Sequence, residues 1–143
     1  MHNPAIRAAV AAIAGLVVAI FVVGLIEAAG HALFPPPPGL DLANPEDQAR
    51  LMAQIPFEAK LAVVVAWFLG SLAGACTAIA IARQVMPAWV VAVTIAGLGL
   101  WTTQMFPHPD WMLASAAILP LVAVLVAKRL MVRRLGGYPE LAG

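Results

Sequence analysis

Four long apolar stretches, residues 8–34, 61–82, 87–106 and 111–127, take up most of the chain. A hydrocarbon core about 30 Å thick is crossed by roughly 20 helical residues, with about 17 as the lower limit. Each stretch reaches that limit. None shows the strict alternation of apolar and polar positions that a membrane-crossing strand needs, and helices satisfy their own backbone hydrogen bonds inside lipid. The pattern predicts an all-α fold: a four-helix transmembrane bundle of uninterrupted helices, one domain over residues 1–143. The first stretch is long for the apolar part of a signal peptide and only Arg7 precedes it as a cation. It therefore reads as a retained span, although Ala28-Ala29-Gly30 is a small-residue run of the kind that signal peptidase accepts.

The polar segments between the runs are unequal. Pro35-Pro36-Pro37-Pro38-Gly39 ends the first helix and holds the chain extended. Asn44 then stands where a helix cap belongs, Pro45 suits the first helical position, and Asp47 completes a capping-box-like arrangement. Leu51, Met52 and Ile55 fall on one face, and Pro56 stops the segment. The spacing predicts a short amphipathic helix over about residues 45–54, lying at the outer membrane surface. The other two connections, 83–86 and 107–110, are tight, so successive helices are antiparallel neighbours, with Asp110 placed to cap the fourth. No repeat relates the two halves, and the tail 136–143 is expected to be disordered.

Composition agrees with the pattern. The chain is 63% hydrophobic and 10% charged, with a mean hydropathy of +0.95. A water-soluble domain carries about 25% charged residues, so part of this surface must meet a lipid bilayer. The single cysteine, Cys76, excludes an internal disulfide and reads as a small packing residue. Charge placement says more than the net charge. Arg7, Arg83, Lys128, Arg129, Arg133 and Arg134 lie on one side of the spans, and only Arg50 and Lys60 on the other. Positive charge marks the cytoplasm, which puts both termini there. Asp41, Glu46, Asp47, Glu58 and Asp110 all fall outside. The basic C-terminal cluster reads as a topology anchor that also meets anionic head groups.

The candidate chemistry is inside the membrane, where an ionisable group needs a reason to exist. Glu27 lies near the outer end of the first helix, with His31 at i+4 on the same face and Gly24 and Ala28 beside them. The third helix offers the stripe Thr94, Gly97, Trp101, Gln104 and His108, and the second offers Trp67, Gly70, Ser71 and Gly74. If these faces meet, Glu27, His31, Gln104 and His108 share the outer half of the bundle, with Asp41 and Asp110 in the adjoining loops. Two chemistries fit. Glu27, His31 and His108 are carboxylate and imidazole donors of the kind that hold zinc or another divalent metal. Alternatively, Glu27 handles a proton and His31 relays it. The plain alternatives are that Glu27 and His31 hydrogen-bond each other and pin the packing, that His108 is a turn residue between two prolines, and that Asp110 is only a cap. Trp101 and Trp111 read as interfacial anchors, and Trp67 either as another or as an internal packing residue.

No glycine-rich phosphate loop, Cys-x-x-Cys pair, Ser-His-Asp order or basic-aromatic nucleic-acid pattern occurs. Enzymatic function and nucleic-acid binding are therefore the least supported classes. The run from Glu27 through His31 and Pro35-Pro36-Pro37-Pro38-Gly39 to Asp41, with the later His108-Pro109-Asp110-Trp111, resembles a family of small four-helix bacterial inner-membrane proteins. They share a Glu-x3-His…Pro-Pro-Gly-x-Asp…His-Pro-x-Trp pattern. The resemblance implies the four-span fold, a bacterial inner-membrane location and one outward-facing cluster of Glu27, His31, Asp41 and His108; it implies no activity. The expectation is a membrane protein with a polar cluster for a metal ion or protons. The alternatives are an accessory or assembly subunit of a larger membrane complex and a small transporter working as a homo-oligomer.

Overall fold

The computed structural model describes residues 3–41 and 43–135; the tail expected to be disordered lies outside them. The order of elements is α1 (Pro4–Leu33), α2 (Pro45–Gln54), α3 (Phe57–Ala82), α4 (Met86–Met105) and α5 (Asp110–Leu135). All the described elements are helices, and α1, α3, α4 and α5 are long and apolar enough to cross a membrane. The chain thus has the build of a multi-pass membrane protein. Three of the helices run beyond the apolar stretches that announced them. α1 starts at Pro4, where the Asn3 side chain accepts the Ala5 amide at 2.9 Å, α3 starts directly after Pro56, and α5 continues through its basic residues to Leu135. Lipid thickness sets the apolar length, while Lys and Arg are good helix formers and let the helix continue past it.

α3 is the hub. It packs against α1, α4 and α5, and α4 in turn packs against α1 and α5. Half of the most apolar window of α3 is buried, against 17% of that of α1. The core is built largely of alanine: Ala19, Ala75, Ala78, Ala88, Ala92 and Ala127 bury with Ile79, Val91, Ile95 and Val124. Such residues let helices approach closely, which supplies dispersion contacts where lipid removes most of the hydrophobic drive. The tightest crossing joins α1 to α3. A Cβ on Gly15 would stand 2.7 Å from the carbonyl oxygen of Gly74, and one on Gly70 would stand 2.8 Å from that of Ala19. Cys76 packs half-buried against the same core, as expected of a small residue.

Several local expectations change. Pro120 lies buried inside α5, which still runs as one helix from Asp110 to Leu135, but the carbonyl one turn earlier, on Ala116, loses its usual amide donor. Membrane helices tolerate this where neighbours pack around the proline. Asp110 is the first helical residue rather than the cap, and the Pro109 carbonyl accepts the Met112 amide at 2.9 Å. Its charge still favours the helix start. α4 turns Ala92, Ile95, Ala96, Gly99 and Thr103 inward, and leaves Gly97, Trp101 and Gln104 exposed. On α1, Gly24 and Ala28 also face outward, with nothing within 4 Å of a Cβ on Gly24. Trp67 is internal, 4% exposed, and packs near Gly99 and in a small cluster with Val64, Met112 and Ala116.

α2 forms with the bounds its spacing predicts. The Asn44 side chain accepts the Glu46 amide at 2.9 Å. The reciprocal half of the expected capping box is rerouted: Asp47 accepts the amide of Asp41 at 3.1 Å, not that of Asn44. Asp41 in turn accepts the Ala43 amide at 2.9 Å and, through its carbonyl, the Asn44 amide at 3.0 Å. These bonds fold the polar loop onto the start of α2. They leave its apolar face, with Leu51 8% exposed, turned onto the bundle.

Candidate functional site: a cavity beneath α2

The apolar face of α2 roofs a cavity of about 280 Å³ at the end of the bundle opposite the basic cluster. Most of its wall is apolar: Phe34 from the end of α1, Leu51, Met52 and Ile55 from α2, Val63 from α3, and Met112 from α5. The charged or titratable residues of its lining are Glu27, His31, Lys60 and His108. Glu27, His31 and His108, singled out from the sequence as donors, therefore do share one chamber. Asp41, Gln104 and Asp110 do not line it: Asp41 is spent on the loop bonds, Gln104 is exposed on α4, and Asp110 is exposed at the start of α5.

Helix geometry orders these groups by depth. Glu27 stands six residues before the end of α1, about 9 Å along the axis at 1.5 Å per residue. His31, one turn on, is about 6 Å nearer that end. Lys60 is the fourth residue of α3 and belongs to the same outer rim, because α3 runs antiparallel to α1: a Cβ on Gly30 would meet that of Ala62 at 3.6 Å. His108 sits in the α4–α5 turn. Its Nδ1 lies 2.9 Å from the Phe106 carbonyl oxygen, its backbone amide donates to the same oxygen at 2.8 Å, and its ring meets that of Phe106 edge-on with centroids 6.3 Å apart. A carbonyl only accepts, so that bond places the proton on Nδ1 and leaves Nε2 as the free ring nitrogen. Phe57 and Trp111 meet with ring centroids 5.4 Å apart and their planes tilted by 44°, which joins the start of α3 to that of α5.

Glu27 is the unusual member. It is half-buried in this wall, and its carboxylate makes neither a hydrogen bond nor an ion pair with another described residue. The expected hydrogen bond to His31 is not formed, because the His31 side chain is exposed at the rim. Nor do Glu27, His31 and His108 converge as a ligand set: among the described residues no three His, Cys, Asp or Glu stand close enough to hold a metal ion. An ionised carboxylate at the middle of a span costs about 2.5–3.5 kcal/mol, and less near the end, where Glu27 lies. His31, one turn on, interacts with Glu27 electrostatically but forms no hydrogen bond or ion pair with it. Lys60 and the α2 wall were not singled out from the sequence. Lys60 is the only cation between α2 and Arg83, and Leu51, Met52 and Ile55 share a face, so both signals were present. The fold is needed to bring them over Glu27. Comparison with protein-family models, with curated proteins and with solved structures finds no match for the chain.

Proposed function

We propose that the chain is a non-enzymatic protein of a bacterial inner membrane, with both termini in the cytoplasm, and that the cavity beneath α2 receives a small ligand from the outer face. Glu27 takes up and releases a positive charge there. The observation that carries the reading is a carboxylate that makes no hydrogen bond or ion pair with a described residue, set in the largely apolar wall of a cavity of about 280 Å³ that His31, Lys60 and His108 also line. Ligand sites combine such walls with a few convergent polar groups, and membrane ionisable residues mark ion or substrate pathways. The six-to-two distribution of Lys and Arg about the spans supports the orientation. The resemblance in the Glu27–Asp41 and His108–Trp111 segments supports the bacterial inner membrane. A divalent metal at Glu27, His31 and His108 ranks lower, because the three groups do not converge.

The test is chemical. An apolar carbodiimide attacks protonated carboxyls reached through a hydrophobic path. Treatment of the full chain in nanodiscs, followed by peptide mass spectrometry, is expected to modify Glu27 ahead of the exposed Glu46, Glu58 and Asp110. Filling the chamber with Ala59→Trp, at a residue of α3 that lines it, is expected to slow that modification about tenfold or more. Modification spread over the exposed carboxylates, with Glu27 spared, overturns the reading.

A second reading, a subunit of a homo-oligomer or larger membrane complex, is favoured by the sparse burial of α1 and by the open surface at Gly24 and Gly97. Native mass spectrometry of gently solubilised membranes is expected to show a second copy or another chain bound. A homogeneous monomer removes this reading.

A further inference from the structure

Resting on the proposed reading of the cavity, we infer that its ligand is a small amphiphilic organic cation: a protonated amine on a compact apolar body, with the ammonium held by Glu27. The argument starts from size. About 280 Å³ is at the lower end of the roughly 300–1,000 Å³ of small-molecule sites, so the body is about the size of one aromatic ring with a short chain. The wall then fixes its polarity. Leu51, Met52, Ile55, Val63 and Met112 offer dispersion contacts and almost no hydrogen bonds to an apolar body.

Charge selects the head group. Glu27 is the one carboxylate in the lining, it stands a turn deeper than His31, with which it interacts electrostatically, and it makes no hydrogen bond or ion pair with a described residue. A cation brought to it gains a charge-assisted hydrogen bond. Phe34 and Phe106 are also in the lining, and aromatic rings favour a cation over a neutral group. A bare metal ion is disfavoured, because it demands several converging oxygen or nitrogen ligands, and among the described residues Glu27, His31 and His108 do not stand close enough to supply them together. An anionic amphiphile is disfavoured by order along the axis. Its head would seek Lys60 and the imidazoles at the rim, which leaves its apolar body against the Glu27 carboxylate. Lys60, also in the lining, makes no ion pair with Glu27.

The test is equilibrium binding of radiolabelled phenethylamine, and of phenethyl alcohol as its neutral counterpart, to the full chain in nanodiscs of zwitterionic lipid, with empty discs as background. Wild type is expected to bind the amine saturably and about tenfold or more tighter than the alcohol. Glu27→Gln is expected to erase that preference. The comparison of the two ligands on wild type, and protection of Glu27 from the carbodiimide by bound amine, need no variant and hold if Glu27→Gln fails to insert. Equal binding of amine and alcohol overturns the cation and leaves the cavity reading standing. No saturable binding of either, with Glu27 still labelled by carbodiimide, overturns the cation and leaves a proton as the charge that Glu27 handles.

Discussion

At the scale of single residues, glycine marks where α1 and α3 touch. A Cβ on Gly74 would run into the carbonyl oxygen of Gly15 and stand 2.8 Å from the Cβ of Ala19, and both obstacles belong to a helix that cannot step aside locally. The two helices would have to separate along the whole crossing. Gly74→Ala is therefore expected to destabilise the protein by about 1–3 kcal/mol, the usual cost of overpacking. Gly24→Ala, with nothing within 4 Å, is expected to be neutral or slightly stabilising. Thermal unfolding of both variants in the same detergent checks this: equal midpoints would mean that the crossing is not the tight contact it is here. Gly70 and Gly74 were visible in the sequence as a spaced pair; their partner Gly15 was not. α1 carries small residues on almost every turn, so spacing alone does not separate Gly15 and Ala19, which face α3, from Gly24 and Ala28, which face outward.

At the scale of elements, legibility followed the solvent each helix meets. α2 lies between a polar loop and an apolar bundle, so its two faces differ in composition, and Asn44-Pro45 marks its start. Its bounds, its cap and its apolar stripe could all be read. What that stripe lies on could not, because a face of Leu51, Met52 and Ile55 suits a membrane surface as well as a cavity roof. The long helices present the opposite case. α4 is apolar all round, since its outward face meets a solvent as apolar as its core, and the periodicity that orients a helix in a water-soluble protein is lost. The stripe of Thr94, Gly97, Trp101 and Gln104 looked like an inward face because it held the polar residues. The structure instead buries Ala92, Ala96, Gly99 and Thr103, the smaller set. Thr94 needs no partner across the bundle: its hydroxyl donates to the Val90 carbonyl in its own helix at 2.8 Å. Glu27 and His31 could be placed together because i and i+4 on one helix need no knowledge of packing. Lys60 reached the cavity only through the antiparallel register of α1 and α3.

At the scale of the whole molecule, the cavity and the main cluster of basic residues lie at opposite ends, and this polarity bears on which compartment the site serves. Arg83 in the α3–α4 turn and the Lys128–Arg134 segment of α5 gather at one end; α2, the α4–α5 turn and Glu27 gather near the other. A translocated cation-rich segment is costly against the membrane potential and the anionic cytoplasmic leaflet, at about 2.3 kcal/mol per charge for 100 mV and about 1 kcal/mol per Lys or Arg near the surface. The six cations on the basic side outweigh Arg50 and Lys60 by four charges, so the two orientations are well separated in energy. The basic end is accordingly expected in the cytoplasm, with the cavity open to the outside. In a Cys76→Ser background, Gln54→Cys at the end of α2 and Gln84→Cys in the α3–α4 turn report the two ends separately. A membrane-impermeant maleimide added to intact cells is expected to label position 54 readily and position 84 only after permeabilisation. The reverse pattern would place Glu27 and its ligand on the cytoplasmic side, and the source of the cation would then be the cell interior.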